Sequence, residues 1–320
     1  MSVSVASKAF KILVLCAAPL IALSVQAKTR VWIDTDPSIG ILFHDVDDGY
    51  ALLYALNSRD LEIVGISSVV GNASASYGFR RAREIVSKFG VHSGLEASDV
   101  YVGASSPLAR VQDLPPAVGA LAEALDKSAL TIVALGPLSN VALLIENYPH
   151  LVPRIKKIVF VGGRRPGQRF FAGRKISHEF HDSNVERDPQ AVERILRSEV
   201  PLVLAPFELS AQTYFNAKDL MRIKQNGRGG AWLVNRSGLW LRAWQLLIGV
   251  PGGIIFDIFA VGVVTQPDDF ECARGKAQLV AASVRDHTPQ LVFSAQESGQ
   301  VRYCFRQRET FKSSVLDGIF

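Results

Sequence analysis

Apolar runs alternate with amphipathic segments along most of this chain. The runs are short, nearly continuous and end in glycine, as in LEIVGISSVVG, LTIVALG and IKKIVFVGG. Such runs are typical of strands that are buried on both faces, and the segments between them repeat apolar residues with helical spacing. The pattern predicts an α/β fold with an open, mostly parallel sheet and helices on both faces.

The predicted elements follow one another without a linker or an internal repeat. Strands are expected over 30–34, 61–71, 100–104, 130–136, 155–163 and 200–207, and helices over 48–57, 77–89, 118–125, 139–147 and 189–198. From residue 275 onward polar and apolar residues alternate, as in AQLVAASV and QVRYCF, which predicts short antiparallel strands near the C-terminus. Residues 28–320 are therefore expected to form a single domain.

The first 27 residues have the pattern of a secretory signal peptide. Lys8 and Lys11 precede the apolar run ILVLCAAPLIALS, and Val25-Gln26-Ala27 follows with a small residue on each side of Gln26. Pro19 interrupts the run, which is short for a membrane span of about 20 residues. We expect cleavage after Ala27 and a secreted or periplasmic protein without a membrane anchor; an uncleaved anchor is the alternative.

Export would decide which cysteines remain and whether they can be oxidised. Cys16 would leave with the signal peptide, so the mature chain would keep Cys272 and Cys304. In an oxidising compartment these two can form a disulfide, and two buried free thiols are the alternative. The net charge of the 320 residues is only +5, and no basic block interrupts the chain. No nucleic-acid partner is therefore expected.

Four acidic residues gather where the first predicted strand ends. They are Asp34, Asp36, Asp47 and Asp48 in the segment VWIDTDPSIGILFHDVDDGYALLYAL. Each could serve only as a turn or capping residue, but polar residues also follow the other predicted strands, and ligands of parallel sheets bind beyond these strand ends. Clustered carboxylates repel one another unless a cation neutralises them. Oxygen ligands without cysteine or clustered histidine favour calcium or magnesium.

Seven motifs in sequence order resemble those of the nucleoside hydrolases of the inosine-uridine preferring type. The acidic segment is similar to that family's Asp-x-Asp-Pro-Gly-x-Asp-Asp signature. The others are SVVGN for Val-x-Gly-Asn, VYVGASSPL for Gly-Ala-x-x-Pro-Leu, LGPLSN for Gly-Pro-Leu-Thr-Asn, VFVGG for a strand ending in Gly-Gly, DSNVERDP for Asn-x-x-x-Asp-Pro, and FDIFAVGVV for Asp-x-x-Ala-Val. The matches extend from Val31 to Asp268.

The resemblance implies Ca²⁺-dependent hydrolysis of the N-glycosidic bond of small-molecule ribonucleosides, which gives ribose and free base. It implies that Asp36 binds Ca²⁺ and is the general base for water. The further Ca²⁺ ligands would be Asp48, Asp257 and the backbone carbonyl of Leu135, and the ribose-binding residues would be Asp47, Asn72, Asp182 and Asn184. Asp34 is expected to support the loop by hydrogen bonding. The resemblance also implies a homo-oligomer.

The sequence departs from the family pattern inside the acidic signature. Ser38 stands where the family has glycine, and a mostly apolar stretch with His44 follows, so that residues 38–46 separate Asp36-Pro37 from Asp47-Asp48. A surface bulge and a loop over the site are the two interpretations. We favour a loop near the site, since both its ends are expected to lie at the metal.

A second departure concerns the leaving base. Many family members have histidine directly before the late aspartate, and this chain has Phe256 there, which cannot protonate a base. Substitute acids are His44, His178, His181 and Glu179. Alternatively, no protein acid is used and Trp240 and Trp244 stack on the base, although their spacing also fits ordinary helix packing.

Three other functions are alternatives to a ribonucleoside hydrolase. One is a non-catalytic nucleoside- or ribose-binding protein of the same fold, and another is a hydrolase of a different ribosyl substrate. A magnesium phosphatase of the haloacid-dehalogenase type also begins with a strand followed by Asp-x-Asp. The Gly-Asn and Asn-x-x-x-Asp-Pro motifs have no role in such a phosphatase, which disfavours it.

Overall fold

The computed structural model describes residues 27–172, 179–281 and 288–320. Its strands are β1 Thr29–Thr35, β2 Leu61–Ser68, β3 Val100–Tyr101, β4 Leu130–Ala134, β5 Ile155–Phe160, β6 Leu202–Leu204, β7 Phe270–Ala281, β8 Pro289–Ala295 and β9 Val301–Gln307. Its α-helices are α1 Asp47–Asn57, α2 Ala75–Phe89, α3 Pro116–Lys127, α4 Ser139–Asn147, α5 Ser183–Arg187, α6 Pro189–Arg197, α7 Phe207–Ser210, α8 Ala217–Asn226, α9 Arg228–Ala243, α10 Ile258–Thr265 and α11 Glu309–Gly318.

The described strands form one nine-stranded sheet in the order β3-β2-β1-β4-β5-β6-β9-β7-β8. The strands from β3 to β6 are parallel, and β7 runs antiparallel to both β8 and β9. The predicted open, mostly parallel sheet with antiparallel strands near the C-terminus is therefore confirmed. The segment QVRYCF forms most of β9, which is antiparallel to β7 as predicted and also pairs in parallel with β6. One detail differs from the prediction, because β7 is 12 residues long and not short.

Side chains of β1 divide between two apolar cores, one on each face of the sheet. Ile33 packs on the first face with residues of α1 and α10, including Leu52 and Phe259. Trp32 packs on the opposite face with residues of α3 and α4, including Leu121. Successive residues of a strand point to opposite faces, so a strand covered by helices on both sides needs apolar residues at consecutive positions.

The carboxyl ends of four neighbouring strands bring the site residues together. The chain leaves β1 toward Asp36, leaves β2 toward Asn72, leaves β4 at Leu135 and leaves β5 toward Gly162. β1 lies between β2 and β4 at the centre of this group. The loops after these strands therefore meet at one edge of the sheet, as ligand sites of open parallel sheets do.

Cys272 and Cys304 are joined by a disulfide, which decides between the two alternatives left open by the sequence. They face each other on β7 and β9, with their Cα atoms 3.9 Å apart. The bond ties the antiparallel end of the sheet to the strand that pairs with β6. Within the described ranges, no helix is long and apolar enough to cross a membrane. The predicted signal peptide falls almost entirely outside the described residues.

Candidate functional site

The carboxylate of Asp36 occupies a narrow gap between two glycines. A Cβ atom at Gly71 would lie 1.8 Å from Oδ2 of Asp36, and one at Gly136 would lie 2.9 Å from Oδ1. The backbone N–H of Asn72 donates to Oδ2 at 2.5 Å. Gly71 and Gly136, which end two of the predicted strands, therefore leave the space that Asp36 occupies. A larger residue at either position would collide with the carboxylate.

Asp34 supports the loop from beneath. Its Oδ1 accepts hydrogen bonds from the hydroxyl of Ser67 and, at 2.7 Å, from the side-chain amide of Asn140. The indole of Trp32 donates to the same hydroxyl at 2.7 Å. Burial raises the pKa of Asp34 to about 7, and these two hydrogen bonds oppose the rise. The hydrogen-bonding role expected for Asp34 agrees with this network.

Helix α1 begins with Asp47 and Asp48, whose carboxylates lie at its positive N-terminal end. Oδ1 of Asp48 accepts hydrogen bonds from the hydroxyl of Thr35 and from the backbone N–H of Asp36, the latter at 3.0 Å. Oδ1 of Asp47 accepts the backbone N–H of Asp48 at 3.1 Å. These bonds fix α1 to the end of β1, so the two halves of the acidic segment meet although residues 38–46 separate them.

Asp47, Asp48 and Asp257 form a buried carboxylate cluster. One oxygen from each lies within 4.8 Å of the other two. Burial raises the pKa of Asp257 well above its usual range, and repulsion from Asp47 and Asp48 adds to the rise. Burial and the charge of Asp48 raise the pKa of Asp36 in the same way. A cation bound among these groups would remove the repulsion and favour the ionised carboxylates.

Unpartnered oxygens show that the cluster suits a cation. Within the described structure, Oδ2 of Asp48 and Oδ1 of Asp36 are buried and have no hydrogen-bond partner. Buried polar atoms are rarely left this way, and a metal ion would satisfy carboxylate oxygens. Asp36 is not among the three clustered residues, whereas Asp47, which the family resemblance assigns to ribose, is one of them.

The carbonyl of Leu135 lies at the same edge of the sheet. The side-chain amide of Asn184 donates to this carbonyl at 2.7 Å and to that of Val161 at 3.0 Å. Because a carbonyl oxygen has two lone pairs, Leu135 keeps one for a further partner. Asp182 precedes α5 and accepts the backbone N–H of Gly163 at 2.7 Å. Burial raises the pKa of Asp182 to about 6.

A cavity of about 350 Å³ opens beside the carboxylates. Six residues implied for the metal or the ribose share its wall: Asp47, Asn72, Leu135, Asp182, Asn184 and Asp257. Asp36 and Asp48 are not among the described residues that line it. Both are buried, and each is hydrogen-bonded to a lining residue, Asp36 to Asn72 and Asp48 to Asp47. The four side chains implied for ribose binding thus face one space.

Another part of the cavity wall is aromatic. It comes from Phe170, Phe180, Phe207 and Phe256. Phe170 and Phe207 stack with ring centroids 4.7 Å apart, and Phe207 lies 5.8 Å from Phe256. Rings in such a wall can hold a flat base by stacking. Phe256, which replaces the histidine of many family members, is thus part of this aromatic wall.

Trp240 and Trp244 pack behind that wall. Both are buried in the apolar core, and neither is among the described residues that line the cavity. Trp244 stacks on Phe180 with ring centroids 5.7 Å apart. The two tryptophans therefore pack as ordinary helix residues. A base in the cavity would contact Phe180, which lies between the base and Trp244.

The candidate proton donors differ in their positions. Nδ1 of His44 pairs with the carbonyl of Asn72 at 2.9 Å, and His44 is not among the described lining residues. His178 lies outside the described residues. Glu179 lines the cavity; burial would raise its pKa, but hydrogen bonds from Arg169, the Phe170 backbone and Arg164 lower it. His181 lines the cavity, and its Nδ1 lies 2.7 Å from Oε2 of Glu186.

Residues 38–46 form turns that reach the cavity through Asp45. Oδ1 of Asp45 accepts the indole N–H of Trp240 at 2.8 Å and the backbone N–H of Val46 at 3.1 Å. Leu42 and Phe43 are exposed at the far side of the segment. The segment is therefore a loop at the site, as favoured from the sequence, with one carboxylate in the cavity wall.

Several site residues carried little signal in the sequence. Thr35 lies inside the acidic segment and Asn140 ends the LGPLSN motif, but their contacts with Asp48 and Asp34 follow only from the fold. Asp45 stood beside the acidic pair and could have been added to it. The aromatic wall comes from segments far apart in the chain, so no local pattern predicts it.

The chain matches the family model described as inosine-uridine preferring nucleoside hydrolase over residues 31–300. Uridine nucleosidase 1 of Arabidopsis thaliana is 28% identical over 274 residues, which are 77% of this chain and 76% of the relative. Pyrimidine-specific ribonucleoside hydrolase RihB of Shigella sonnei is 26% identical over 269 residues, covering 75% and 80% of the two chains.

Solved structures have the same fold. A plant nucleoside hydrolase superposes with a TM-score of 0.74 at 19% identity, covering 90% of this chain and 98% of its own. A purine-preferring ribonucleoside hydrolase from Gardnerella vaginalis gives 0.74 at 20% identity, covering 91% and 98%. The chain therefore belongs to the inosine-uridine preferring nucleoside hydrolase family, a family of metal-dependent glycosidases that act on ribonucleosides.

Proposed function

We propose that this protein is a Ca²⁺-dependent hydrolase that cleaves ribonucleosides to ribose and free base. One observation carries the proposal: buried carboxylates that suit a cation share a cavity with an aromatic wall. The carboxylate part suits a ribose whose hydroxyls approach the metal, and the aromatic part suits a base. A non-catalytic binding protein of the same fold is disfavoured, because the chain belongs to a family of glycosidases.

The proposed cation would be held by Asp36, Asp48, Asp257 and the carbonyl of Leu135, and Asp47 is close enough to join them. Calcium accepts six to eight oxygen ligands, including bidentate carboxylates and carbonyls, so this donor set suits it. When bound, the cation would supply a positive charge that orients water and the ribose hydroxyls and lowers the pKa of that water. The same charge would keep the surrounding carboxylates ionised.

Asp36 is proposed as the general base. One of its oxygens is fixed by Asn72, and the other is buried without a described partner, so a lone pair remains for a water proton. As Asp36 takes that proton, the water oxygen attacks the anomeric carbon of the ribose. Glycoside cleavage passes through an oxocarbenium-like transition state, whose positive charge the neighbouring carboxylates would stabilise.

Asp47, Asn72, Asp182 and Asn184 are proposed to bind the ribose hydroxyls. All four side chains line the cavity. The amide of Asn184 is engaged with two carbonyls, which leaves its side-chain oxygen as an acceptor for a hydroxyl. Asp182 also lines the cavity, where the backbone N–H of Gly163 holds its Oδ2.

The relatives do not share one base preference. One is named for uridine, one for pyrimidines and a structural neighbour for purines. Mature protein from Lys28 should be assayed for ribose release from uridine, cytidine, inosine and adenosine and from their 2′-deoxy forms. The proposal expects release from at least one ribonucleoside and a far slower reaction of its deoxy form. Equal rates on both sugars would contradict binding of the ribose diol, and no release from any of them would favour another ribosyl substrate.

We also propose that the protein is exported and cleaved after Ala27. The disulfide of Cys272 and Cys304 supports an oxidising compartment, because such bonds are rare in reducing cytosol. N-terminal sequencing of protein recovered outside the cytoplasm tests this: Lys28 as the first residue agrees, and Met1 contradicts it. A homo-oligomer is proposed from the family resemblance, and light scattering of the mature protein tests it.

A further inference from the structure

We propose that Glu179 selects the base by accepting a hydrogen bond from an exocyclic amino group, so that cytosine and adenine are preferred to uracil and hypoxanthine. The inference rests on the proposed hydrolase function and names the class of base that the same cavity takes. Glu179 lines the cavity together with Phe170 and Phe180 of the aromatic wall. A base that stacks on this wall would have a carboxylate at its edge.

Two backbone N–H groups hold Glu179 beside the aromatic rings. The N–H of Phe180 donates to the carbonyl of Phe170 at 2.8 Å, and the N–H of Phe170 donates to Oε1 of Glu179 at 3.4 Å. Phe170 in turn stacks on Phe207, with ring centroids 4.7 Å apart. The carboxylate is therefore part of the aromatic side of the wall, which is the side proposed to receive the base.

Two arginines hold the carboxylate of Glu179 in its ionised form. Nη1 of Arg164 donates to Oε1 at 3.0 Å, and Nε of Arg169 donates to Oε2 at 2.9 Å. Arg164 is itself fixed, because it is buried and its guanidinium lies 3.9 Å from the ring centroid of Phe170. In the described structure Oε1 thus accepts two hydrogen bonds and Oε2 accepts one, which leaves Oε2 an acceptor site for a base.

The chemistry of a carboxylate decides which bases it can bind. Neither Arg164 nor Arg169 is among the described residues that line the cavity, so this group offers the cavity an acceptor and not a donor. Cytosine and adenine carry an amino group that can donate to it, as cytosine does to acidic side chains of proteins that read DNA. Uracil and hypoxanthine carry a carbonyl oxygen at the same position, which the carboxylate repels. A hydrogen bond to a charged group has an effect of about 10- to 100-fold on binding.

The test compares bases that differ only at this edge. The value of kcat/KM should be measured for cytidine with uridine and for adenosine with inosine, in wild type and in Glu179→Gln. In the pair that wild type cleaves faster, it should favour the amino member by about 10-fold or more, and Glu179→Gln should lower this ratio by about 10-fold. The intrinsic leaving ability of each base is the same for both enzymes, so the change in the ratio reports recognition by residue 179. A purely structural role would lower both members of the pair equally.

Glu208→Gln is the matched control. Glu208 follows Phe207 of the aromatic wall and pairs with Arg165 at 2.8 Å, but it is not among the described lining residues. The same substitution there should leave the ratio of the two members unchanged. Melting temperatures of both variants in Ca²⁺ show whether each of them folds.

A second measurement needs no variant. N6-methyladenosine keeps one amino N–H, whereas N6,N6-dimethyladenosine has none, and N4-methylcytidine and N4,N4-dimethylcytidine form the same comparison for a pyrimidine. Wild type should cleave the dimethyl member about 10-fold or more slowly than the monomethyl member, because the donor to Glu179 is gone. Equal rates for the two members would overturn the inference even if Glu179→Gln does not fold.

The outcomes separate this inference from the proposed function. If wild type cleaves ribonucleosides and Glu179→Gln keeps the wild-type ratio, the inference is overturned and the hydrolase function stands. A preference of wild type for uridine over cytidine and for inosine over adenosine would also overturn it. If wild type cleaves none of them, the hydrolase function fails, and calorimetric affinities for the same pairs in Ca²⁺ test the base recognition by itself. Tighter binding of the amino members would then support the inference, and equal binding would overturn it.

Discussion

The carboxylate of Asp36 and the backbone of Gly71 are in such close contact that a Cβ atom at Gly71 would lie 1.8 Å from Oδ2. This contact fixes the proposed general base against the end of β2, where the N–H of Asn72 also binds it. Asp36 can therefore occupy its position only because residue 71 is a glycine and has no side chain.

Gly71→Ala should displace Asp36 and lower kcat roughly 100-fold, since a shift of about 1 Å in a reacting group has an effect of that size. The measurement is steady-state hydrolysis of the best ribonucleoside. Gly119→Ala in α3 is the control, because a Cβ there would meet no atom within 4 Å. Wild-type activity of Gly71→Ala would contradict this, because it would show that a Cβ atom at residue 71 does not displace Asp36.

Asp36→Asn should abolish most of the hydrolysis, by roughly 100- to 10,000-fold, while the protein keeps its fold. The amide is nearly isosteric with the carboxylate but cannot take a proton from water. Hydrolysis rates together with the melting temperature check this. Full activity in the variant would remove Asp36 as the general base.

The metal-free protein should lose stability as the pH rises from about 4 to about 7. Burial raises the pKa of Asp34 to about 7 and that of Asp45 to about 6, from a usual 3.8. The folded protein then binds more protons than the unfolded chain across this range, so raising the pH favours unfolding.

Melting temperatures of dialysed protein at pH 5 and pH 8 test this dependence. The metal-free protein should melt at least roughly 3 °C lower at pH 8, because even 1 kcal/mol moves the melting temperature by that much. Added Ca²⁺ should abolish or reverse the difference, since it stabilises the ionised carboxylates. If the metal-free protein were more stable at pH 8 than at pH 5, burial would not raise the pKa values of these carboxylates.

Replacing Cys272 and Cys304 by alanine should destabilise the protein by roughly 3–4 kcal/mol, as expected for a disulfide that closes a loop of this length. The free energy of unfolding in urea, compared between the variant and the oxidised wild type, measures it. Hydrolysis should be retained, because β7 and β9 do not contribute described residues to the cavity wall. An unchanged free energy of unfolding would show that the bond is not formed in solution.

The sequence predicted the parts of the site that depend on local order. Asp36, Asn72 and Leu135 each follow an apolar run, and parallel strands bring their ends to one edge. The acidic motif also predicted that both ends of residues 38–46 lie together, and the hydrogen bond from the backbone N–H of Asp36 to Asp48 joins them.

The remaining features depend on contacts between distant segments. β9 pairs with both β6 and β7, and the alternation of QVRYCF does not reveal a partner far back in the chain. The ring contacts of Phe170, Phe207 and Phe256 arise in the same way, since three separate segments of the chain bring them together. Of the four candidate acids, His181 and Glu179 line the cavity, and the sequence alone did not reveal this.

We propose that the carboxylate cluster holds a divalent cation on which hydrolysis depends. Ribose release from the best ribonucleoside should be measured in wild type and in Asp48→Asn, first after treatment with a chelator and then after addition of excess Ca²⁺. Wild type is expected to lose activity in the chelator and to recover it with Ca²⁺, whereas Asp48→Asn should recover little. Full wild-type activity in chelator, on protein shown to be free of bound metal, would contradict it.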